Sequence, residues 1–183
     1  MDLLTSYRKQ FTNYRHLGEA AMSQLTFEQL MYDDAARSNS IAIIVKHLSG
    51  NMLSRWTDLL TTDGEKPWRN RDAEFTADFS DRTQLEATWN DGWSVLENTL
   101  GTLTPEQLDT IVYIRNEGHT VYEALNRQLA HYSYHIGQIV LLAKQLKGSE
   151  WQSLSIPCGT SEAYNAQKFS QEKGRRHFTD DLL

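Results

Sequence analysis

The sequence predicts an all-α fold: a four-helix bundle with one long irregular crossover and a C-terminal tail. Four long segments repeat their apolar residues at steps of three and four, the spacing that turns one helix face toward a core. Only Pro67, Pro105 and Pro157 interrupt the 183 residues, and all three fall outside those segments. The stretch from Thr61 to Phe79 is long, polar and without such a repeat, so the second connection departs from a simple up-and-down bundle.

The first helix spans about Leu3 to Gln24, with Leu4, Tyr7, Phe11, Tyr14, Leu17 and Ala21 along one stripe. The second spans about Ser40 to Leu60, with Ile41, Ile44, Leu48, Met52, Trp56 and Leu59 on one side. Gly50 inside it lowers helix propensity by about 1 kcal/mol, and it also permits close approach of another helix or a ligand. The third begins at Ser80 or Asp81 as N-cap and continues to about Leu100. The fourth has the clearest ends. Thr120-Val121-Tyr122-Glu123 is a capping-box signature and Gly148 a C-terminal stop; Val121, Leu125, Leu129, Tyr132, Ile136, Ile139 and Ala143 lie between them. Shorter features fill the connections. Thr104-Pro105-Glu106-Gln107 opens a helical turn, Thr110 to Arg115 is a β-branched patch suited to a short extended segment, and Ser161-Glu162-Ala163-Tyr164 can start a short helix.

Length and composition point to one domain, a helical bundle over about residues 1–148 with a tail over about 149–183. The formal net charge is −6 and no basic run exceeds Arg175-Arg176, which argues against nucleic acid as a partner because phosphate neutralisation needs a basic face. The densest apolar run, Ile41 to Val45, is too short to span a bilayer, so no membrane partner is expected. The first residues lack the basic and apolar regions of a secretory signal, and the expected compartment is the cytoplasm. Cys158 is the one cysteine, which excludes an intrachain disulfide; beside Pro157 and Gly159 it reads either as a reactive thiol or, with more weight, as an inert small hydrophobe.

The chemistry concentrates in His131-Tyr132-Ser133-Tyr134-His135. Two histidines four apart leave one helix face and can share a metal ion. On a helical wheel His135 lies about 70° and His131 about 110° from the centre of the apolar stripe, at the edge of the core, where a pocket between helices would form. His47 and Asn51 flank the stripe of the second helix in the same way. If the two flanks face each other, three imidazoles converge with coordination positions left open, the layout of a catalytic metal site. The pair alone leaves a second reading, histidines hydrogen-bonded to their neighbours. The segment between the histidines lacks the glutamate of a His-Glu-x-x-His metalloprotease, and the chain contains no Glu-x-x-His of a di-iron bundle.

A histidine in the second long helix followed by His-x-x-x-His in the last resembles the DinB-like superfamily of four-helix proteins. Lys46-His47-Leu48-Ser49-Gly50-Asn51-Met52, Pro67-Trp68-Arg69-Asn70-Arg71-Asp72 and His131 to Ile139 are similar to a bacterial subfamily within it. The resemblance implies a divalent metal, zinc or nickel, held by His47, His131 and His135, and a bundle that is often dimeric. It also implies a small-molecule substrate. Relatives include thiol S-transferases and isomerases that use low-molecular-weight thiols, and metal-dependent hydrolases. With no general-base carboxylate evident beside the histidines, thiol S-transfer fits better than hydrolysis, since a thiolate is already a nucleophile. The rival is a non-catalytic, stress-related bundle whose metal is structural. Five Trp and eight Tyr, together with the resemblance, lead to the expectation of a homodimer.

Asn51 and Arg55 follow His47 by one and two turns and are candidates to line the pocket. Arg69 and Arg71, with Asp72, suit an anion clamp over the site, with Trp68 excluding water. The alternative is that these arginines pair with acidic residues such as Asp72 or Glu74 and merely pin the loop. Tyr132 and Tyr134 are expected to pack.

Overall fold

A computed structural model describes residues 2–33 and 39–181. It is mostly helical, with one two-stranded hairpin. In chain order the helices and strands are α1 (Leu3–Met22), α2 (Phe27–Met31), α3 (Ile41–Trp56), α4 (Arg82–Thr102), β1 (Ile111–Ile114), β2 (Glu117–Thr120), α5 (Val121–Lys147) and α6 (Ser161–Phe169). Single 3₁₀ turns occupy Asp72–Phe75, Pro105–Gln107 and Gly148–Glu150. Residue 1, residues 34–38 and the final two residues of the predicted tail lie outside the described residues. Among those described, no helix is long and apolar enough to cross a membrane.

Polar side chains fix where the helices start. The Asp2 carboxylate accepts the Thr5 N–H at 2.8 Å, the Ser40 hydroxyl accepts that of Ile43 at 3.2 Å, and the Asp81 carboxylate accepts that of Gln84 at 2.9 Å. Thr120 and Glu123 form the expected capping box on α5, and Gly148, at φ 59°, follows its last residue. Two expectations need correction. The second predicted helix ends at Trp56, short of Leu60, because Thr57 turns to extended backbone and Asp58 takes φ 50°. Tyr134 does not pack in the interior: it is 60% exposed.

The core is built on two close pairs, α3 against α4 and α1 against α5, with α3 also meeting α5. Leu4 and Phe11, Leu48 and Met52, Leu85 and Trp93, and Leu125 and Ile136 are all buried there. Each such side chain removed from water contributes about 1.5–3 kcal/mol. Small residues bring α3 and α4 together: a Cβ placed on Gly92 would lie 2.7 Å from the Ser49 Cα. Tyr132 sits at the middle of an aromatic cluster, its ring 5.8 Å from that of Phe11 and 6.0 Å from that of Trp93. Its hydroxyl donates to Asn51 Oδ1 at 3.0 Å and accepts from Trp56 Nε1 at 2.9 Å, which locks α5 to α3 beside the histidines.

The crossover between α3 and α4 is anchored at both ends. Arg115 and Asn116, both with positive φ, form the tight turn between β1 and β2. Neither is a glycine, and the Asp63 carboxylate stabilises the turn by accepting their N–H groups at 2.9 and 2.8 Å. Gly64 N–H also donates to the Tyr113 carbonyl at 2.8 Å. The hairpin is thereby fastened to the start of the crossover. At the other end, the 3₁₀ turn Asp72–Phe75 packs against α3 and delivers Glu74 to its surface.

Candidate metal centre

Helices α3 and α5 bring His47, His131 and His135 to one place. One ligand atom from each lies within 4.8 Å of the others. The meeting atoms are the Nε2 nitrogens: His131 Nε2 is 3.1 Å from that of His135 and 3.4 Å from that of His47. A tetrahedral ion with bonds of about 2.0–2.1 Å requires nitrogen pairs about 3.3 Å apart. Both separations lie close to that value and the third pair stays within 4.8 Å, so the three donors are near enough to share an ion.

Each ring is held from behind through its other nitrogen. His47 Nδ1 lies 2.9 Å from Glu74 Oε2, His131 Nδ1 lies 3.3 Å from Gln128 Oε1, and His135 Nδ1 lies 2.8 Å from Gln138 Oε1. These oxygens accept, so the Nδ1 atoms carry the protons and the Nε2 atoms offer bare lone pairs. Three lone pairs aimed at one another repel unless a cation sits among them. The three histidines are thus placed so that they could hold an ion, and each is also hydrogen-bonded to a neighbour, as the second reading of the pair has it.

The electrostatics agree. Burial pushes the His131 imidazole down to about 3, and the neighbouring His135 and His47 add to the effect. Burial lowers His135 as well, against the opposing hydrogen bond to Gln138. Both rings are thus neutral and ligand-competent at ordinary pH. Burial alone would raise the Glu74 carboxyl, but hydrogen bonds from His47 and Arg69 outweigh it and hold the group below the usual carboxylate range.

Glu74 is the residue that the sequence underrated, since it figured there only as a candidate partner for the loop arginines. It is buried, and Arg69 grips it with Nε at 2.7 Å from Oε1 and Nη2 at 3.0 Å from Oε2. The signal that pointed to it is Gly50. A Cβ there would stand 2.8 Å from the Glu74 side-chain carboxyl carbon, so only glycine leaves room for the carboxylate to reach His47 one turn away. The close approach expected at Gly50 is that of a loop carboxylate.

The three imidazoles open into a cleft of about 440 Å³. Asn51, Arg55, Arg69 and Arg71, the four residues named from sequence as pocket candidates, all line it, as do Tyr134 and Gln128. Their situations differ. Asn51 is tied to Tyr132, and Arg69 is committed to Glu74 and Glu65, so the loop-pinning reading holds for Arg69. Arg71 is exposed and pairs with no described residue. Trp68 is 59% exposed and is not part of the lining, so it does not cover the site. Cys158 is exposed and outside the cleft.

No curated protein and no solved structure matches the chain. A family model does match, over residues 1–160, a span that contains the three histidines and Glu74. The chain belongs to the family described as Protein of unknown function (DUF1572).

Proposed function

We propose that this chain is a metal-dependent enzyme of the DinB-like kind, a four-helix bundle that holds zinc or nickel through His47, His131 and His135 and joins a low-molecular-weight thiol through its sulfur to a small electrophile. The observation that carries the reading is the set of three converging Nε2 lone pairs, each ring fastened through Nδ1 to Glu74, Gln128 or Gln138. When bound, such an ion supplies Lewis acidity that lowers the pKa of a thiol or water joining it.

The chain's own residues set the rest. Glu74 and Arg69 hold His47 in one tautomer, and the glutamine amides do the same on α5. Among the described residues no aspartate or glutamate lines the cleft, and both Glu74 oxygens are engaged, so none of the described carboxylates is placed to take a proton from water. That arrangement supports thiol transfer over hydrolysis. In the transfer, the thiolate sulfur forms a bond to an electrophilic carbon, the leaving group departs with its electron pair, and the thiol proton goes to solvent. Pairing of two chains into a homodimer belongs to the same proposal.

Elemental analysis of protein purified without an affinity tag, followed by a screen of thiols against electrophiles, tests the reading. About one ion per chain with thiol-dependent turnover is expected. A chain that takes up no divalent metal, or that binds one without turnover with any thiol, overturns it.

A further inference from the structure

The cleft is crowded with positive charge. Arg55, Arg69, Arg71, Arg115 and Arg127 all line it, in a chain whose formal net charge is −6. Among the described residues only Glu65 and Glu74 form ion pairs with these arginines. Glu65 meets Arg55 at 3.3 Å, Arg69 at 3.4 Å and Arg115 at 3.1 Å, while Glu74 serves Arg69. Three of the five guanidinium groups therefore share two carboxylates. Arg71 and Arg127 have no acidic partner among the described residues, and Arg127 meets only His119 Nε2 at 3.4 Å.

Two further observations show that the excess is built into the fold. Arg55 is 5% exposed, and its Nε has no hydrogen-bond acceptor although its Nη1 is bound to the Gly64 carbonyl. A buried guanidinium short of acceptors is costly, and negative charge in the cleft would offset it through space. Arg115 is presented from a left-handed backbone conformation that disfavours any side chain, and that conformation is held by Asp63. Like charges brought together at the mouth of a pocket repel one another unless a ligand of opposite sign joins them.

We propose that Arg71 and Arg127, with Arg115 and the buried Arg55 behind them, form an anion subsite beside the three imidazoles, so that the cleft takes a small substrate carrying a carboxylate or phosphate group. This rests on the proposed function in that it names the substrate class of the same site. Guanidinium groups grip such groups through paired N–H bonds, and a substrate so anchored would present its reacting atom to the histidines.

The test is calorimetric titration of inorganic phosphate and, separately, of succinate into the wild-type protein, Arg71→Ala, Arg127→Ala, the double variant and His131→Ala, with metal content measured on every sample. Both targeted arginines are exposed, so the substitutions leave the core intact. Wild-type protein binds at least one of the two anions, and each single substitution weakens binding about tenfold or more, as loss of a charge-assisted hydrogen bond does. Arg71→Lys restores only part of the loss because the bidentate grip is gone. Comparison of the two probes assigns the subsite to phosphate or carboxylate. If neither anion binds at millimolar concentration, or if the double variant binds as the wild type does, the subsite does not exist. Anion binding lost in His131→Ala but unchanged in the arginine variants places the anion on the metal alone and also refutes the subsite. Normal anion binding by protein that takes up no metal sustains the subsite and refutes the metal-dependent reading.

Discussion

Glu74→Gln separates the orientation of a candidate ligand, His47, from the stability of the fold. The substitution keeps the shape of the side chain and removes its charge. Glu74 Oε2 now accepts from His47 Nδ1 at 2.9 Å and from Arg69 Nη2 at 3.0 Å, and Oε1 accepts from Arg69 Nε at 2.7 Å. An amide has one oxygen: at the Oε2 position it accepts from His47 Nδ1 and Arg69 Nη2, but without the charge, and its NH₂ then confronts the Arg69 Nε–H. With the amide turned over, its NH₂ faces His47 Nδ1 and moves the imidazole proton to Nε2, where a metal would have to displace it. Loss of such a support typically costs 10–100-fold in metal affinity, about 1.4–2.7 kcal/mol. Arg69, whose side chain is 3% exposed, would keep only Glu65 at 3.4 Å, and breaking a buried pair on one side costs about 3–5 kcal/mol of folding stability. Chelator competition with zinc and denaturant unfolding of the metal-free protein measure the two effects separately. Adding Arg69→Met to Glu74→Gln should recover much of the stability, because the orphaned cation is gone, and only part of the metal affinity, because the amide oxygen is then free to accept from His47 Nδ1 but carries no charge. Zinc affinity within about threefold of wild type in Glu74→Gln would refute the reasoning about His47.

Gly50→Ala should weaken metal binding in the same direction, since the added Cβ at 2.8 Å from the Glu74 carboxyl carbon forces that side chain away; unchanged affinity in the competition assay counts against it. The metal-free protein should lose stability in acid from two sources. His131, held down at about 3, cannot take the proton that the unfolded chain accepts near 6.5, so its contribution is present above about pH 6.5 and is lost as pH falls toward 3. Glu74, lowered in the fold, contributes above the ordinary carboxylate value and loses that contribution as pH falls through its lowered one. Urea unfolding across pH 3–7 should therefore flatten in His131→Asn. Asp63→Ala should destabilise the protein by about 1–3 kcal/mol, because three backbone N–H groups, those of Glu65, Arg115 and Asn116, lose their acceptor; a stability change below about 0.5 kcal/mol would contradict that role. Light scattering at micromolar concentration should return twice the chain mass, and a monomer mass contradicts the proposed dimer.

Much of this was legible in the residues. The four long helices announce themselves because their apolar stripes agree with their capping residues, most plainly at Thr120 and Glu123. Helix α2 carries the same kind of signal in Thr26-Phe27-Glu28-Gln29, where a capping box does form, but five residues are too few to show a period. The end of α3 is hidden in the sequence because Leu59 and Leu60 extend its apolar pattern past Trp56, with no glycine or proline to stop it. The β1 patch is visible in its branched residues, whereas β2, Glu117-Gly118-His119-Thr120, has no apolar alternation and follows an Arg-Asn turn that lacks the usual glycine. The pairing depends on Asp63, far away in the chain, and sequence spacing cannot reveal that. The histidines followed the opposite rule. His131 and His135 are related by one helical turn, and the flanking positions of His47 and Asn51 relative to their stripe place them opposite. Glu74 comes from a loop whose course no periodicity describes, and only the glycine that makes room for it left a mark.

The central claim is that His47, His131 and His135 together hold one divalent ion. X-ray absorption spectroscopy of the protein loaded with one equivalent of zinc tests it directly. The account predicts three imidazole ligands at about 2.0–2.1 Å, seen by their multiple scattering, with the remaining coordination from light atoms, and loss of that signature in His131→Ala. A spectrum with fewer than two imidazoles, or one that is unchanged in His131→Ala, would contradict it.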